Sequence, residues 1–305
     1  MNGERRPTPV EYLELGLSVL MRHLPVTWVS AIGAWFGARY GRRGIAAGRK
    51  WVKRLHGNIE RFGGVADPAE RERRIVDYTR RVGSIYAEFT VLQRLVEEGR
   101  VEVVGVEHLQ GLSRPAILAS AHLANWELVG HVLTLLEGAG SVLYDPPANP
   151  IRHRLAVEAR LAWRRGRDGE LVPASPGAMR HLTRAIAQGR NLLMYVDEER
   201  DGYIRAPSLG REIPYAGNRW LTARLAARYQ ADVVPVHVEH LGQARYRVVI
   251  EPKLIPGEGD AETRARSLAD QMERHLDTWI RAHPEHWYWL PWFEPGRPAP
   301  FRAST

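Results

Sequence analysis

The residues best placed to do chemistry lie in one short stretch, Ser120-Ala121-His122-Leu123-Ala124-Asn125-Trp126-Glu127. A neutral imidazole can take the proton of an attacking hydroxyl. A carboxylate on its other ring nitrogen would hold the tautomer and stabilise the imidazolium that forms. His122 and Glu127 are five positions apart, with His122 just before a predicted helix and Glu127 in its early turns, so both can face one crevice. The helix start adds backbone N–H groups and a positive dipole end, suited to a developing oxyanion. The bare spacing is common, and a hydrogen-bonded structural histidine fits it equally well.

The neighbouring elements decide whether that crevice exists. Ala116–Ser120 is a short apolar run that reads as a buried strand, and a helix follows from about Trp126 to Glu137. Strands are expected at 101–104, 141–144, 191–196, 233–239 and 245–251. Helices are expected at 151–165, 176–188, 219–229 and 261–282, with a polar Gly/Pro-containing loop over 197–217. Strands alternating with helices predict an α/β fold with a mixed sheet over 99–305, and open sheets of this kind bind ligands at their strand ends. Residues 1–98 read as a helical region. Apolar residues at helical spacing run from Leu13 to Leu24, Pro25 interrupts them, and a further helix spans about 66–98 after Asp67-Pro68. No repeat or linker separates the parts, so one continuous domain is expected.

Composition removes other classes. The 305 residues contain no cysteine, which excludes disulfide scaffolds, thiolate metal sites and thiol catalysis. The remaining histidines lack metal-ligand spacing. There is no His-Glu-x-x-His, no Gly-Lys-Ser/Thr phosphate loop and no Gly-x-Ser-x-Gly elbow. No metal or organic cofactor is expected. The net charge of +8 leaves nucleic acid, an anionic membrane surface or an acidic protein as partners. All the basic residues but Lys50, Lys53 and Lys253 are arginine, a bias that lowers the weight of any single arginine.

The block SAHLANWELVG resembles the H-x4-D/E block of glycerolipid-type acyltransferases, and most of all the lipid A biosynthesis (lauroyl/myristoyl) branch. Further segments resemble that branch in the same order: Arg54 to Phe62 its basic segment followed by Asn, Asn191 to Gly210 its strand and following loop, and Glu285 to Phe293 its Trp-rich C-terminal block. The resemblance implies an enzyme that moves a fatty acyl group from a thioester, usually of acyl carrier protein and alternatively of CoA, to a hydroxyl of a glycolipid such as a lipid A precursor. By matching positions, it implies that His122 is the base, that Glu127 is its orienting carboxylate, and that Asn125 and Trp126 shape the substrate pocket. The family's Asp-Gln is here Asp197-Glu198, and its Phe-Phe-Gly is Ser208-Leu209-Gly210. Those departures leave a phosphatidylinositol mannoside, an ornithine lipid or a lysophospholipid open as acceptor.

Four more positions complete the candidate site. Arg152 and Arg154, in an Arg-rich helix with Arg160, Arg164, Arg165 and Arg167, suit lipid phosphates or an acidic carrier. Asp197 stands at a strand end, and Gly210 closes the matching loop. The aromatic cluster Trp287-Tyr288-Trp289 and Trp292-Phe293 fits an acyl tunnel, a membrane contact or simple core packing.

The N-terminal region raises the membrane question. Trp28, Val29, Ile32, Trp35 and Phe36 follow a helical period, and seven basic residues with no acidic one lie between Arg39 and Arg54. An aromatic face beside cations suits an interfacial anchor, although core helices and a solvated basic helix fit the same pattern. The longest uncharged run there, His23 to Ala38, has 16 residues, too few to span a bilayer. Met1 to Pro7 does not read as a secretory leader. A peripheral protein at the cytoplasmic face of a bacterial inner membrane is therefore expected. No helix-turn-helix, zinc finger or RNP motif supports nucleic-acid binding, which leaves a non-catalytic basic binding protein as the rival.

Overall fold

The computed structural model describes residues 8–112, 115–147, 149–163 and 168–297. Five helices come first: α1 (Pro9–Met21), α2 (Val26–Ala46), α3 (Lys50–Gly63), α4 (Pro68–Glu88) and α5 (Leu92–Glu97). Then follow β1 (Val101–Val104), β2 (Ala116–Ser120), α6 (Val129–Leu135), β3 (Gly140–Tyr144), α7 (Pro150–Ala162), β4 (Gly169–Pro173), α8 (Ala178–Ala187), β5 (Asn191–Tyr195), β6 (Glu198–Arg200), β7 (Tyr203–Ala206), α9 (Gly217–Tyr229), β8 (Asp232–Gly242), β9 (Arg245–Ile250) and α10 (Ala261–Ala282).

Seven strands form one sheet in the order β1-β9-β8-β2-β5-β3-β4. β8, β2, β5, β3 and β4 run parallel, and the β8–β9 hairpin turns β9 and β1 the other way. The expected mixed α/β fold with a helical N-terminal region is what forms. β2 and most of β5 are buried on both faces, as their unbroken apolar runs require. One face carries α3, α4, α8, α9, α10 and the C-terminal aromatics in a single apolar cluster. The other face packs Met21, Val26, Val29, Leu92 and Leu95 with α6. The N-terminal helices thus complete both layers of the core.

Three differences from the sequence reading have local causes. β4 and the β6–β7 hairpin are too short and polar to announce themselves, and β4 gains strand character only from its parallel partner β3. The helix expected from Trp126 opens as a 3-10 turn over Trp126–Leu128 and ends at Leu135. The helix expected over 151–165 ends at Ala162; Arg164, Arg165 and Arg167 lie outside the described residues.

Packing of α2 decides where its aromatics go. Gly33 and Gly37 lie against the backbone of Gly83 and Thr79 in α4, where a Cβ would collide with those carbonyls. That contact turns a small-residue face inward and leaves Trp28 and Trp35, 63% and 58% exposed, on the outer face with Phe36 and Tyr40. Exposed Tyr12, Leu17, Val19 and Leu20 of α1 are further apolar surface in the same helical region. No helix among the described residues is long and apolar enough to cross a membrane.

Candidate active site

The register of the central strands creates the site. β2 and β5 are parallel neighbours with Ser120 opposite Tyr195, and Val196 N–H donates to the Ser120 carbonyl. Two residues further along each chain stand His122 and Asp197. His122 Nδ1 lies 2.9 Å from Asp197 Oδ1, while the His122 backbone N–H donates to Oδ2 at 2.9 Å. The carboxylate is 1% exposed. Oδ2 also accepts from the Trp287 indole N–H at 3.0 Å. An ionised carboxylate only accepts, so Asp197 favours the tautomer with the proton on Nδ1 and the lone pair on Nε2. Nε2 has no hydrogen-bond partner among the described residues. His122 rests over Tyr195, with ring centroids 4.6 Å apart, and edge-on to Trp126.

This arrangement corrects the role expected of Glu127. Its side chain is 5% exposed and pairs with Arg160 through two bonds, Nε to Oε2 at 2.9 Å and Nη2 to Oε1 at 2.6 Å. The Trp126 indole N–H also donates to it, at 3.1 Å. The 3-10 start of the following turn aims Glu127 at α7, away from the imidazole Nδ1, which Asp197 already occupies. Burial works against the Arg160 charge, but the adjoining Glu127 carboxylate more than offsets it and raises the guanidinium above its ordinary value. Asp197, expected as a substrate contact, is therefore the histidine's carboxylate partner.

Asn125 is corrected as well. It is fully buried and donates from Nδ2 to Glu88 Oε2 at 2.8 Å, behind the loop that carries His122. The Tyr246 hydroxyl donates to the same oxygen at 2.6 Å. Burial pushes the Glu88 carboxyl up, against the lowering effect of hydrogen bonds from Tyr246, Ser30 and Asn125. Asn125 thus fastens the loop to α4 and β9 and does not reach the cavity. The loop needs such fastening because Ala124 takes a left-handed φ of 46°, a conformation non-glycine residues rarely adopt.

A second fastening comes from the C-terminal aromatic segment. The His286 carbonyl accepts from Ala124 N–H, Tyr288 N–H donates to the His122 carbonyl, and Leu123 bridges Trp287. The segment is itself held by the helical region. Asn58 Nδ2 donates to the Leu290 and Phe293 carbonyls at 2.8 Å, and the Tyr78 hydroxyl donates to the Tyr288 carbonyl at 2.6 Å. Trp287 and Phe293 are buried, whereas Tyr288 and Trp289 reach the cavity.

The cavity has a volume of about 620 Å³, and His122, Trp126, Glu127, Arg160, Tyr195 and Asp197 line its reactive end. From there its lining follows β3 from Tyr144 to Gly140, a length of about 13 Å at the usual strand rise. Leu133, Val142, Ala156, Trp163, Leu171 and Leu193 make that arm largely apolar, with Thr134 and Asp168 also on its lining. Asp145, Glu198, Glu199, Arg200, Asp201 and Asn218 make the opposite side polar. Trp126 is on the wall of the cavity. Arg152 and Arg154 are not: both are on the exposed side of α7, and Arg154, 73% exposed, pairs with Glu158 at 2.8 Å. The helical period carries Arg160 inward and those two outward. Gly210 (φ 92°) lies on an exposed turn outside the cavity. The residues that sequence reasoning missed are Tyr195, Arg160, Glu88 and the individual indoles. Only Arg160, at the right phase on an Arg-rich helix, left a signal. No group of three or more metal-ligating side chains gathers among the described residues.

Comparison with known proteins comes to a few matches. The solved structure of the 1-acyl-sn-glycerophosphate (LPA) acyltransferase PlsC from Thermotoga maritima is 15% identical, covering 85% of this chain and 99% of that one at a TM-score of 0.39. No curated protein matches. The profile of the bacterial lipid A biosynthesis acyltransferases matches residues 5–291. The chain belongs to the bacterial lipid A biosynthesis acyltransferase family and is an acyltransferase.

Proposed function

We propose that the protein transfers a fatty acyl chain from a carrier-protein thioester, with CoA as the alternative donor, to a hydroxyl of a glycolipid, a lipid A precursor first among candidates. The observation that carries this reading is the His122–Asp197 pair at one end of a long apolar arm. The acyl chain lies along β3 with its carbonyl beside His122. Nε2 takes the proton of the acceptor hydroxyl as its oxygen attacks the thioester carbon, and Asp197 balances the imidazolium. The tetrahedral intermediate collapses with loss of the thiolate, to which the imidazolium returns the proton. The thioester is already activated, so His122 is asked for general-base assistance of about 10²–10⁴. The acidic lining near the reactive end suits the uncharged, hydroxyl-bearing part of the acceptor, and places its phosphates nearer the basic residues outside.

The same reading puts the protein on an anionic membrane surface at the cytoplasmic side. Trp28, Trp35, Phe36 and Tyr40 offer an apolar face, and exposed Arg39, Arg42, Arg43, Arg49 and Lys50 follow it in the chain. Cations near such a surface contribute about 1 kcal/mol each. Tyr86, exposed on α4, reaches the cavity lining, so a lipid acceptor has a short path inward. The rival reading, a basic protein that only binds, has no use for a buried carboxylate aligned on a histidine at a cavity.

The test is transfer from labelled acyl carrier protein thioester into a bacterial lipid extract, wild type beside His122→Ala. Labelled lipid from wild type alone supports the reading, and its mass identifies the acceptor. Labelling that survives in His122→Ala removes the mechanism. No labelling with salt-sensitive nucleic-acid binding favours the rival.

A further inference from the structure

Two indoles of the C-terminal segment compete for the catalytic pair. The Trp287 N–H donates to Asp197 Oδ2 at 3.0 Å and, with the His122 backbone N–H, pins that oxygen. Pinned there, the carboxylate keeps Oδ1 in line with Nδ1 at 2.9 Å. The Trp289 N–H points at Nδ1 itself from 3.2 Å. Nδ1 cannot accept that bond while it carries a proton. Trp289 therefore favours the tautomer in which the proton is on Nε2, and in that form His122 cannot act as a base.

We propose that Trp287 and Trp289 are positioning residues that set the tautomer of His122 in opposite senses, Trp287 through Asp197 toward the base-competent Nδ1–H form and Trp289 toward the inactive Nε2–H form. The inference rests on His122 being the general base of acyl transfer. Burial of Trp287 (fully buried) and of Asp197 excludes water that would otherwise replace the lost donor. The backbone bonds from the same segment to His122 and Ala124 keep both indoles in register with the ring. Tyr288, between the two, donates its N–H to the His122 carbonyl and its ring to the cavity wall. The segment thus does more than pack against the core.

The decisive comparison replaces each indole N–H by sulfur, using benzothienylalanine at 287 or at 289, because shape is then retained and only the donor is lost. Trp287→Phe and Trp289→Phe are the simpler companions. The readout is the ¹⁵N spectrum of histidine-labelled protein, with His122→Ala assigning the signal. At position 287 the Nε2–H population rises and kcat falls about tenfold, the loss of roughly one charge-assisted hydrogen bond, with KM within about twofold of wild type. At position 289 the Nε2–H population falls and kcat rises. A tautomer ratio that stays at the wild-type value in either sulfur variant overturns the proposal, as does a shift in the same direction in both. Wild-type protein that transfers no acyl group defeats the reading of function on which this rests, while the tautomer ratios still report separately on the two indoles.

Discussion

The cavity has two walls near His122, and each contributes one buried carboxylate. On the β2–β5 side Asp197 accepts from the histidine and a tryptophan. On the α6–α7 side Glu127 accepts from an arginine and a different tryptophan. The first wall places its negative charge beside an imidazole, a group that can gain and lose a proton. The second neutralises its charge with a cation that never titrates in the working range. Charge that participates in chemistry needs a partner with two protonation states. Charge that locks helices together needs a partner with one. The spacing in the sequence pairs His122 with Glu127, and the structure separates them by this rule.

The largest expected effect tests the first wall. Asp197→Asn keeps the size of the side chain but can offer Nδ1 a donor in place of an acceptor, so kcat falls by about 10²–10⁴ with little loss of stability. If Glu127→Gln alone produced that loss at unchanged stability, the assignment of the two carboxylates would have to be reversed.

The second wall is tested by unfolding. Glu127→Gln leaves the Arg160 guanidinium, four-fifths buried, without its counter-charge. Removing one member of a buried pair costs about 3–5 kcal/mol, read as a lower midpoint in denaturant. Adding Arg160→Met should restore much of it, and a double-mutant cycle gives the coupling. A smaller effect concerns the rear of the loop that carries His122. Asn125→Ala leaves Glu88 short of one donor and is expected to cost about 1–3 kcal/mol, with loss of activity following loss of the fold.

Acid tests the C-terminal segment behind both walls. His286 and His240 are held at about 3 and about 4, against an ordinary 6.5, because burial disfavours their charged forms and the nearby Arg81 repels them, with His283 adding to the effect on His286. The unfolded chain binds these protons near 6.5, so stability is full above that pH and declines as pH falls from 6.5 toward 4. The thermal midpoint should fall over that window, and less steeply in His286→Asn. The mildest expected change to the fold comes from Trp28→Ser with Trp35→Ser. These exposed positions should shift stability by no more than about 0.5 kcal/mol while cutting co-sedimentation with anionic vesicles. Unchanged vesicle binding would detach the aromatic face of α2 from the proposed membrane role.

Much of the fold was legible because its elements are locally determined. Short apolar runs marked β2 and β5, Asp67-Pro68 marked the start of α4, and Asp67 caps it from Oδ1 and Oδ2. β4 was illegible because its hydrogen bonds come from β3, some thirty residues earlier in the chain, and the β6–β7 hairpin because its strands are short and polar with no apolar alternation. For the site, the sequence placed His122 just after a buried strand, and the cavity at the strand ends has His122 on its lining. Asn125 and Arg154 were misplaced because a residue's type does not reveal whether it faces the cavity or turns its back to it.

By itself, then, the sequence determined a histidine at the end of a buried strand, a helical region with aromatics on one face, and membership of a chemistry that needs no thiol. Partners were decided by tertiary structure alone. Asp197 reaches His122 because two parallel strands fall into one register, and Trp287 reaches Asp197 because α3 and α4 hold the C-terminal segment across the loop. Contacts between residues 75 and 90 positions apart leave no periodicity in a sequence, since what brings them together is the packing of every element between them.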